Sequence, residues 1–334
     1  NVLTVSQSEA YNAAGQLSFR SMPDDTLGTT FTYDGLGRTT AETDSLDRSI
    51  TTQYNDYYVT VRDRKNYSTT SIYQTMGTDD SWLLQVDQPG AKRTLILRNE
   101  VGSPIKIIQG TATDNGGISG FIRTKEYYDN YLLKLERGPE EGTTQYTYTS
   151  EGQLWTSQRE GRGVITNNYD DLGRLVTIEY EDSTLNYNYV YDNLDRVVSV
   201  ASEGITKEYF HDENGNLTDI DLTIDGPLPR FYNLHYGYNE LDQVTSMRYP
   251  DGFEVQTTPN ALGQATALSG IASNIQYYAN GLLSSYELGN GKVVSVWLNE
   301  LDQLESLAVT DALNFSYTYD GNGNFNSIQN NLKS

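Results

Sequence analysis

Two short runs of aspartate, asparagine and glycine carry the residue types that could coordinate a metal ion. Asp212–Asn216 and Asp320–Asn324 begin like a calcium loop, in which carboxylate and amide oxygens bind the ion. An EF-hand loop also requires glycine at its sixth position and glutamate at its twelfth. The sixth positions hold Leu217 and Phe325, and neither twelfth position is glutamate. We therefore interpret both runs as turns and keep calcium as the less favoured alternative.

Other side chains that could do chemistry are few. The sequence has two histidines, His211 and His235, and no cysteine, so a zinc site or a Ser-His-Asp arrangement has little material. Adjacent acids such as Asp170 and Asp171 lie side by side on a turn, whereas a glycosidase holds two carboxylates apart across a cleft. Three tryptophans could stack on sugar rings, but at this frequency they are ordinary packing residues: Trp82, Trp155 and Trp297. We predict no catalytic, cofactor-binding or metal-binding residues, and no enzyme activity.

The elements that position these residues are strands and turns. Around Tyr169–Val200 the sequence reads turn, strand, turn, strand, turn, strand. Leu175–Tyr180 is rich in β-branched and aromatic residues, and in Leu185–Tyr191 tyrosine alternates with other residues at a period of two. The same pattern predicts further strands at Val197–Ala201, Phe253–Thr257 and Asn314–Tyr319. The unit is a β-hairpin whose end leads into the next copy.

An opening motif of an aromatic residue, three variable residues and glycine recurs along the chain, with most copies starting about 20 residues apart. Glycine at the fifth position indicates a backbone with positive φ, and aspartate at that place tolerates the same conformation. The leading tyrosines are predicted to occupy equivalent places and to stack on their counterparts in neighbouring copies. The repeat positions are Tyr33, Gly37, Tyr169, Gly173, Tyr191, Asp195, Tyr238, Asp242, Tyr319 and Gly323. A copy without its glycine starts at Tyr54, weak copies start at Tyr73 and Arg98, and a further copy starts at Tyr128.

Arginines that follow the motif are placed to pair with its aspartates. Arg38, Arg174 and Arg196 each stand four residues after an aspartate of the same turn. Exposed pairs of this kind contribute about 0–1 kcal/mol each.

Composition excludes several classes of partner. The 45 acidic residues against 23 lysines and arginines give a formal net charge of −22, which argues against nucleic acid and anionic membrane surfaces. No apolar run approaches the roughly 20 residues needed to cross a bilayer as a helix. The 27 tyrosines against 8 phenylalanines suit thin sheets with a large surface. Because the chain begins at Asn1 without methionine, we expect a processed chain or a fragment of a longer one.

These motifs resemble the YD-repeat, or RHS-repeat, family. The segments that carry the resemblance are YDGLGRT, YDDLGRLVTI, YDNLDRVVSV, HDENGNL and the YPDG of Tyr249–Gly252. The resemblance implies a long β-hairpin strip that winds as a spiral into a hollow shell. Family members include shell components of insecticidal toxin complexes, bacterial polymorphic toxins and the extracellular teneurins. In toxin members the shell encloses a C-terminal payload and ends near an Asp-Pro motif, which this sequence lacks.

The expected fold is therefore all-β, a spiralling array of β-hairpin repeats that forms a curved strip or part of a hollow shell. We expect one continuous array over residues 1–334, irregular around 54–127, with insertion loops at 110–120 and 225–230. The expected function is a non-catalytic shell segment of a secreted or surface toxin-like bacterial protein. Its partners would be the remainder of a larger RHS protein or an enclosed C-terminal polypeptide. The alternative is an extracellular module that binds carbohydrate or protein.

Overall fold

The computed structural model describes residues 6–23, 25–75, 81–181 and 185–331, and in these ranges it consists of strands and turns without helix. Thirty strands lie in the described part of the chain. The first fifteen are β1 (Glu9–Tyr11), β2 (Leu17–Ser21), β3 (Gly28–Tyr33), β4 (Thr39–Thr43), β5 (Ser49–Tyr54), β6 (Tyr58–Arg62), β7 (Ser68–Thr75), β8 (Ser81–Gln88), β9 (Lys92–Arg98), β10 (Pro104–Ala112), β11 (Ile118–Tyr127), β12 (Leu133–Gly138), β13 (Gly142–Tyr148), β14 (Leu154–Arg159) and β15 (Val164–Tyr169). The others are β16 (Leu175–Tyr180), β17 (Tyr187–Tyr191), β18 (Val197–Ser202), β19 (Ile205–His211), β20 (Leu217–Ile224), β21 (Arg230–Tyr238), β22 (Val244–Arg248), β23 (Glu254–Pro259), β24 (Ala265–Leu268), β25 (Ala272–Tyr277), β26 (Leu283–Leu288), β27 (Val293–Leu298), β28 (Leu304–Val309), β29 (Leu313–Tyr319) and β30 (Phe325–Asn330). The prediction of an all-β hairpin array is confirmed.

The predicted strands are present, with small shifts at their ends. β16 has the bounds that the sequence predicted. β17 begins two residues later than expected. The Tyr180 amide donates to the side-chain oxygen of Asn186 at 2.9 Å, and this bond takes the place of a backbone hydrogen bond between the two strands. β23 begins after Phe253, whose carbonyl closes the preceding turn by accepting from the Tyr249 amide at 2.8 Å.

Consecutive strands pair antiparallel, and a bulge recurs beside the motif turns. Between β15 and β16, Asn168 pairs with Thr177, while the next residue, Tyr169, pairs with Leu175. Val176 is thus an extra residue on its strand, as in a β-bulge. The same one-residue shift occurs in the equivalent hairpins, for example between β3 and β4 and between β17 and β18. The bulge is therefore part of the repeat.

The sheet buries little. Its accessible surface is 21455 Å², compared with roughly 14,000 Å² expected for a compact monomer of this mass. In the described part of the chain, the buried apolar residues are Leu135, Val255, Ala272, Ile275 and Val294. Most other strand residues remain half-buried. Hydrogen bonds and side-chain ties must therefore supply much of the stability that a globular core would give.

The chain divides into two compact units. One comprises Asn1–Ile72, Gln243–Thr245 and Val255–Ser334, and the other comprises Tyr73–Asp242 and Ser246–Glu254. We call them unit 1 and unit 2. Each consists of antiparallel hairpins of the same design. One continuous array over residues 1–334 remains a prediction.

Residues 110–120 form a hairpin, where we had expected an insertion loop. β10 and β11 pair through Gly110 and Gly120, and a tight turn at residues 113–117 joins them. A side-chain carbon on Gly110 would lie 2.1 Å from the carbonyl oxygen of Ser119, so only glycine fits this crossing of two backbones. The glycines of this segment, which predicted a flexible loop, instead allow two strands to approach closely. The expected insertion at 225–230 corresponds to residues 225–229, which connect β20 to β21.

Candidate functional site

The motif turns are the most regular feature of the molecule. In the turn after β15, the Asp170 amide donates to the Arg174 carbonyl at 3.0 Å and the Gly173 amide donates to the Asp170 carbonyl at 2.9 Å. The Asp170 carboxylate accepts from the amides of Leu172 and Arg174 at 3.0 and 2.9 Å. An aspartate or asparagine in this place therefore locks the turn with its own side chain. The equivalent residues Asn12, Asp34, Asn99, Asp192, Asn260, Asn299 and Asp320 make the same pair of bonds.

The fifth motif residue has the left-handed backbone that the sequence indicated. Gly37, Gly173 and Gly323 have φ of 83°, 79° and 84°. Asp195 and Asp242 replace glycine in other copies and have φ of 61° and 58°. Aspartate takes this conformation at lower cost than most residues, which explains why it replaces glycine in the repeat.

Arginines close several of these turns. Arg174 contacts the Asp170 carboxylate at 2.7 Å and also reaches Asp195 of the next turn at 2.6 Å. Arg38 and Arg196 form the same 2.7 Å pair with the aspartate four residues before them. The backbone amide of Arg174, with its guanidinium, lowers the pKa of Asp170 below its ordinary value. Through Asp195, Arg174 also links two successive turns.

The repeat tyrosines tie each hairpin to the one before it. Tyr169 is the last residue of β15, and its hydroxyl donates to the carbonyl of Leu154, the first residue of β14, at 2.8 Å. Burial raises the pKa of the Tyr169 hydroxyl, so the hydroxyl stays protonated. Among the described residues, nine tyrosines at strand ends make this bond to the first carbonyl of the preceding strand. The pairs are Tyr33–Leu17, Tyr54–Thr39, Tyr127–Pro104, Tyr148–Leu133, Tyr169–Leu154, Tyr191–Leu175, Tyr238–Leu217, Tyr277–Ala265 and Tyr319–Leu304.

The structure corrects two predictions about these tyrosines, their stacking and the start of one copy. Among the five repeat tyrosines that we predicted to stack, all described in the structure, none contacts another ring of the set. Each hydroxyl instead reaches back to the preceding strand. In the copy that we had started at Tyr128, Tyr127 takes the repeat position and Tyr131 takes the fifth, with φ of 66°. The copy at Tyr73 extends into residues 76–80, outside the described residues.

In each unit the hairpin turns lie at two edges of the strands. We call the turns after odd-numbered strands the first rim and those after even-numbered strands the second rim. The motif turns belong to the first rim. Two turns of the same design, which the sequence motif did not predict, lie on the second rim at residues 44–48 and 63–67. There, Asp44 accepts from the amides of Leu46 and Arg48, and Asp63 from those of Lys65 and Tyr67.

Within unit 1 these second-rim turns contact first-rim turns from the other end of the chain. The Lys65 ammonium lies 3.0 Å from the Asp320 carboxylate. The Asn322 amide donates to the Asp63 carboxylate at 2.8 Å. One pair of turns earlier, the Ser45 hydroxyl donates to the Glu300 carbonyl at 3.4 Å. Ser45 to Glu300 and Lys65 to Asp320 have the same separation of 255 residues, so two rims meet in a constant register.

The rim contact has an electrostatic and an apolar consequence. The Lys65 ammonium, with turn amides, lowers the pKa of Asp320 to about 2. First-rim turns elsewhere expose a leucine; Leu36 and Leu262 of unit 1 are 80% and 56% exposed. Leu301, in the turn that contacts Ser45, is instead half-buried. Contact with a second rim therefore accompanies reduced exposure of this leucine.

The candidates for catalysis and metal binding have structural partners. Asp320 accepts from turn amides and Lys65, so its oxygens serve the turn and the rim. His211 ends β19 at the place that tyrosine takes in other copies. His235 lies 2.8 Å from Asp219 on the neighbouring strand. In the described ranges, no group of three or more histidine, aspartate or glutamate residues is arranged to hold a metal ion, and no helix is long and apolar enough to cross a membrane.

Comparison with known proteins identifies the fold. No protein-family model matches the sequence, and no curated protein matches it. A crystal structure of TcdB2-TccC3-Cdc42 is similar, with a TM-score of 0.78 and 14% sequence identity, over 98% of this chain and 20% of that chain. The Tc holotoxin pore of Photorhabdus luminescens is similar with a TM-score of 0.63 and 15% identity, again over 98% and 20%. The chain has the fold of one part of these toxin-complex chains and spans about a fifth of their length.

Proposed function

We propose that this chain is a non-catalytic wall segment of a YD/RHS-repeat shell in a secreted or surface toxin-like protein. The observation that carries the proposal is the contact between the two rims of unit 1 at a constant separation of 255 residues. Rims that join in register allow rows of hairpins to stack into a wider wall. The fold similarity to toxin-complex chains supports the same role.

The construction of the repeat suits a wall better than a catalyst. In the described part of the chain, backbone ladders join neighbouring hairpins, nine tyrosine bonds add to them, and many motif turns are locked by a carboxylate or amide of their own. These features hold a thin sheet without a deep core, and they leave few side chains for chemistry. The proposed partners are further repeats of the same type and a polypeptide enclosed behind the wall. No nucleic acid is expected, because the net charge is −22.

Electron microscopy of the chain at high concentration tests the proposal. We expect hairpin rows joined along their rims, in the register of the Lys65–Asp320 pair. The variant Lys65→Glu places a carboxylate against Asp320 in place of the ammonium, so joined rows should separate. Lys92→Glu, an exposed lysine in unit 2 with the same change of charge, is the control. Unjoined rows in the unmodified protein would contradict the proposal.

A further inference from the structure

An open recess of about 710 Å³ lies at the first-rim end of β14 and β15 in unit 2. Trp155, Asn167 and Tyr169 line it, together with the turn acids Glu151 and Asp171. Trp155 is 49% exposed, so about half of this large aromatic residue is open to solvent beside polar groups. An exposed aromatic plane next to polar side chains is a typical arrangement for recognising a small polar ligand.

The repeat itself shows that this tryptophan is unusual. Trp155 is the extra residue of the β13–β14 bulge, because Thr147 pairs with Thr156 and Tyr148 with Leu154. Among the described bulges of this kind, the other hairpins carry a residue without an aromatic ring: Ser18, Thr40, Ile105, Lys134, Val176, Val198, Thr218, Thr266, Ser284, Glu305 and Asn326. The fold therefore does not need an aromatic ring at this place.

The walls of the recess are held in place. The Asn167 amide donates to the Leu154 carbonyl at 3.1 Å, and the Gln153 amide donates to the Gly173 carbonyl at 2.8 Å. The Tyr169 hydroxyl is bound to Leu154 as well. A recess whose polar groups are already fixed loses less conformational entropy when a ligand enters.

The charge of the lining selects the ligand. Glu151 and Asp171 lie around the recess, and none of the described residues that line it is lysine or arginine. Carboxylates accept hydrogen bonds from hydroxyls and from ammonium groups, and they repel anions. The apolar C–H face of a pyranose ring fits against an indole, while its hydroxyls suit carboxylate and amide partners.

From this arrangement, we infer that Trp155 and the recess beside it form a binding site for one pyranose unit of a neutral or amino saccharide. The indole is the stacking platform, and the carboxylates of Glu151 and Asp171 and the side-chain oxygen of Asn167 accept hydrogen bonds from sugar hydroxyls. The site does not depend on the wall function, since it rests on one hairpin of unit 2 and not on the rim contact.

Titration of the purified chain with chitotriose, cellotriose and galactotriose tests the site, with trigalacturonate as an acidic counterpart. Saturation-transfer NMR and tryptophan fluorescence report binding. A single sugar ring held by one aromatic platform gives a Kd of about 1 mM. Trp155→Thr introduces the residue found at this bulge in another hairpin, so the fold should be kept. It should weaken binding by about three- to tenfold or more, because the stacking contact is lost.

The control is Trp297→Thr, since Trp297 is exposed to a similar fraction, 46%, on another hairpin. We expect this variant to bind as the unmodified chain does. Three outcomes would overturn the proposal. They are no binding of any neutral or amino trisaccharide, equal binding by the Trp155→Thr chain, and trigalacturonate binding as tight as that of galactotriose.

Discussion

Removing one tyrosine hydroxyl should loosen two neighbouring hairpins without disturbing the rest of the array. Tyr169→Phe keeps the ring and deletes the 2.8 Å hydrogen bond to the Leu154 carbonyl. A half-buried hydrogen bond of this type contributes about 0.5–1.5 kcal/mol, and its loss leaves the Leu154 carbonyl without that partner. We therefore expect a loss of about 1 kcal/mol. For a folding unit of this size that corresponds to a fall in Tm of about 2–4 °C.

The assay must resolve single hairpins, because repeat arrays unfold in parts. Amide hydrogen exchange measured by mass spectrometry gives that resolution. Protection should fall in β14, β15 and the turn between β15 and β16, and it should stay unchanged in β20 and β21. A loss of about 1 kcal/mol corresponds to roughly fivefold faster exchange for amides that exchange by local opening.

Tyr131→Phe is the matched control. Tyr131 belongs to the same unit and is 58% exposed at the fifth position of its turn, where the substitution keeps the backbone conformation. We expect no change in exchange. Equal effects of the two substitutions, or an effect of Tyr169→Phe spread evenly over unit 2, would refute the reasoning that the hydroxyl ties adjacent strands.

Two further predictions concern unit 1. Gly15→Ala should lower the free energy of unfolding by about 1–2 kcal/mol through backbone strain alone, since Gly15 has φ of 77° and no atom lies within 4 Å of the added carbon. Gly35→Ala is the control and should be nearly neutral, because the added carbon also meets no atom there. Equal urea midpoints for the two variants would contradict this. Acid should release the rim contact, because the pKa of Asp320 is lowered to about 2 from 3.8. The stability that the charged Asp320 carboxylate gives to this contact is present above about pH 4 and is lost as pH falls through 2. Protection of the amides in residues 63–67, corrected for the slower intrinsic exchange in acid, should then fall at pH 2 in the unmodified chain and change less in Asp320→Asn.

Much of the fold follows from the sequence because the repeat is short-range. Tyrosine, aspartate and glycine at fixed offsets specify where a strand ends, which side chain locks the turn and where φ is positive. Asp195 shows the strength of this logic, since aspartate at a glycine position predicted the same backbone. The turn at Asp44–Arg48 has the same internal pattern as Asp192–Arg196. It was missed because no aromatic residue precedes it, although its aspartates and arginine were a sufficient signal.

Other features could not be predicted from local pattern. The rim contact joins Lys65 to Asp320 through side chains on two turns, and nothing in either turn specifies a partner 255 residues away. The direction of the tyrosine rings was also missed. A period of two places them on one face of the sheet, but it does not distinguish a ring that stacks from one that reaches along the preceding strand. The structure shows the second arrangement, in which a carbonyl is satisfied.

Chemical cross-linking across the rims tests the central claim most directly. The chain has no cysteine, so the pair Asp63→Cys, Asn322→Cys supplies the two thiols of the protein. A short bismaleimide linker should join them in high yield within one chain, since the native side chains lie 2.8 Å apart. The pair Asp63→Cys, Leu262→Cys has one thiol on the wrong first-rim turn and should give little product. Equal yields for the two pairs, or no intramolecular product from the first, would contradict a rim contact in fixed register.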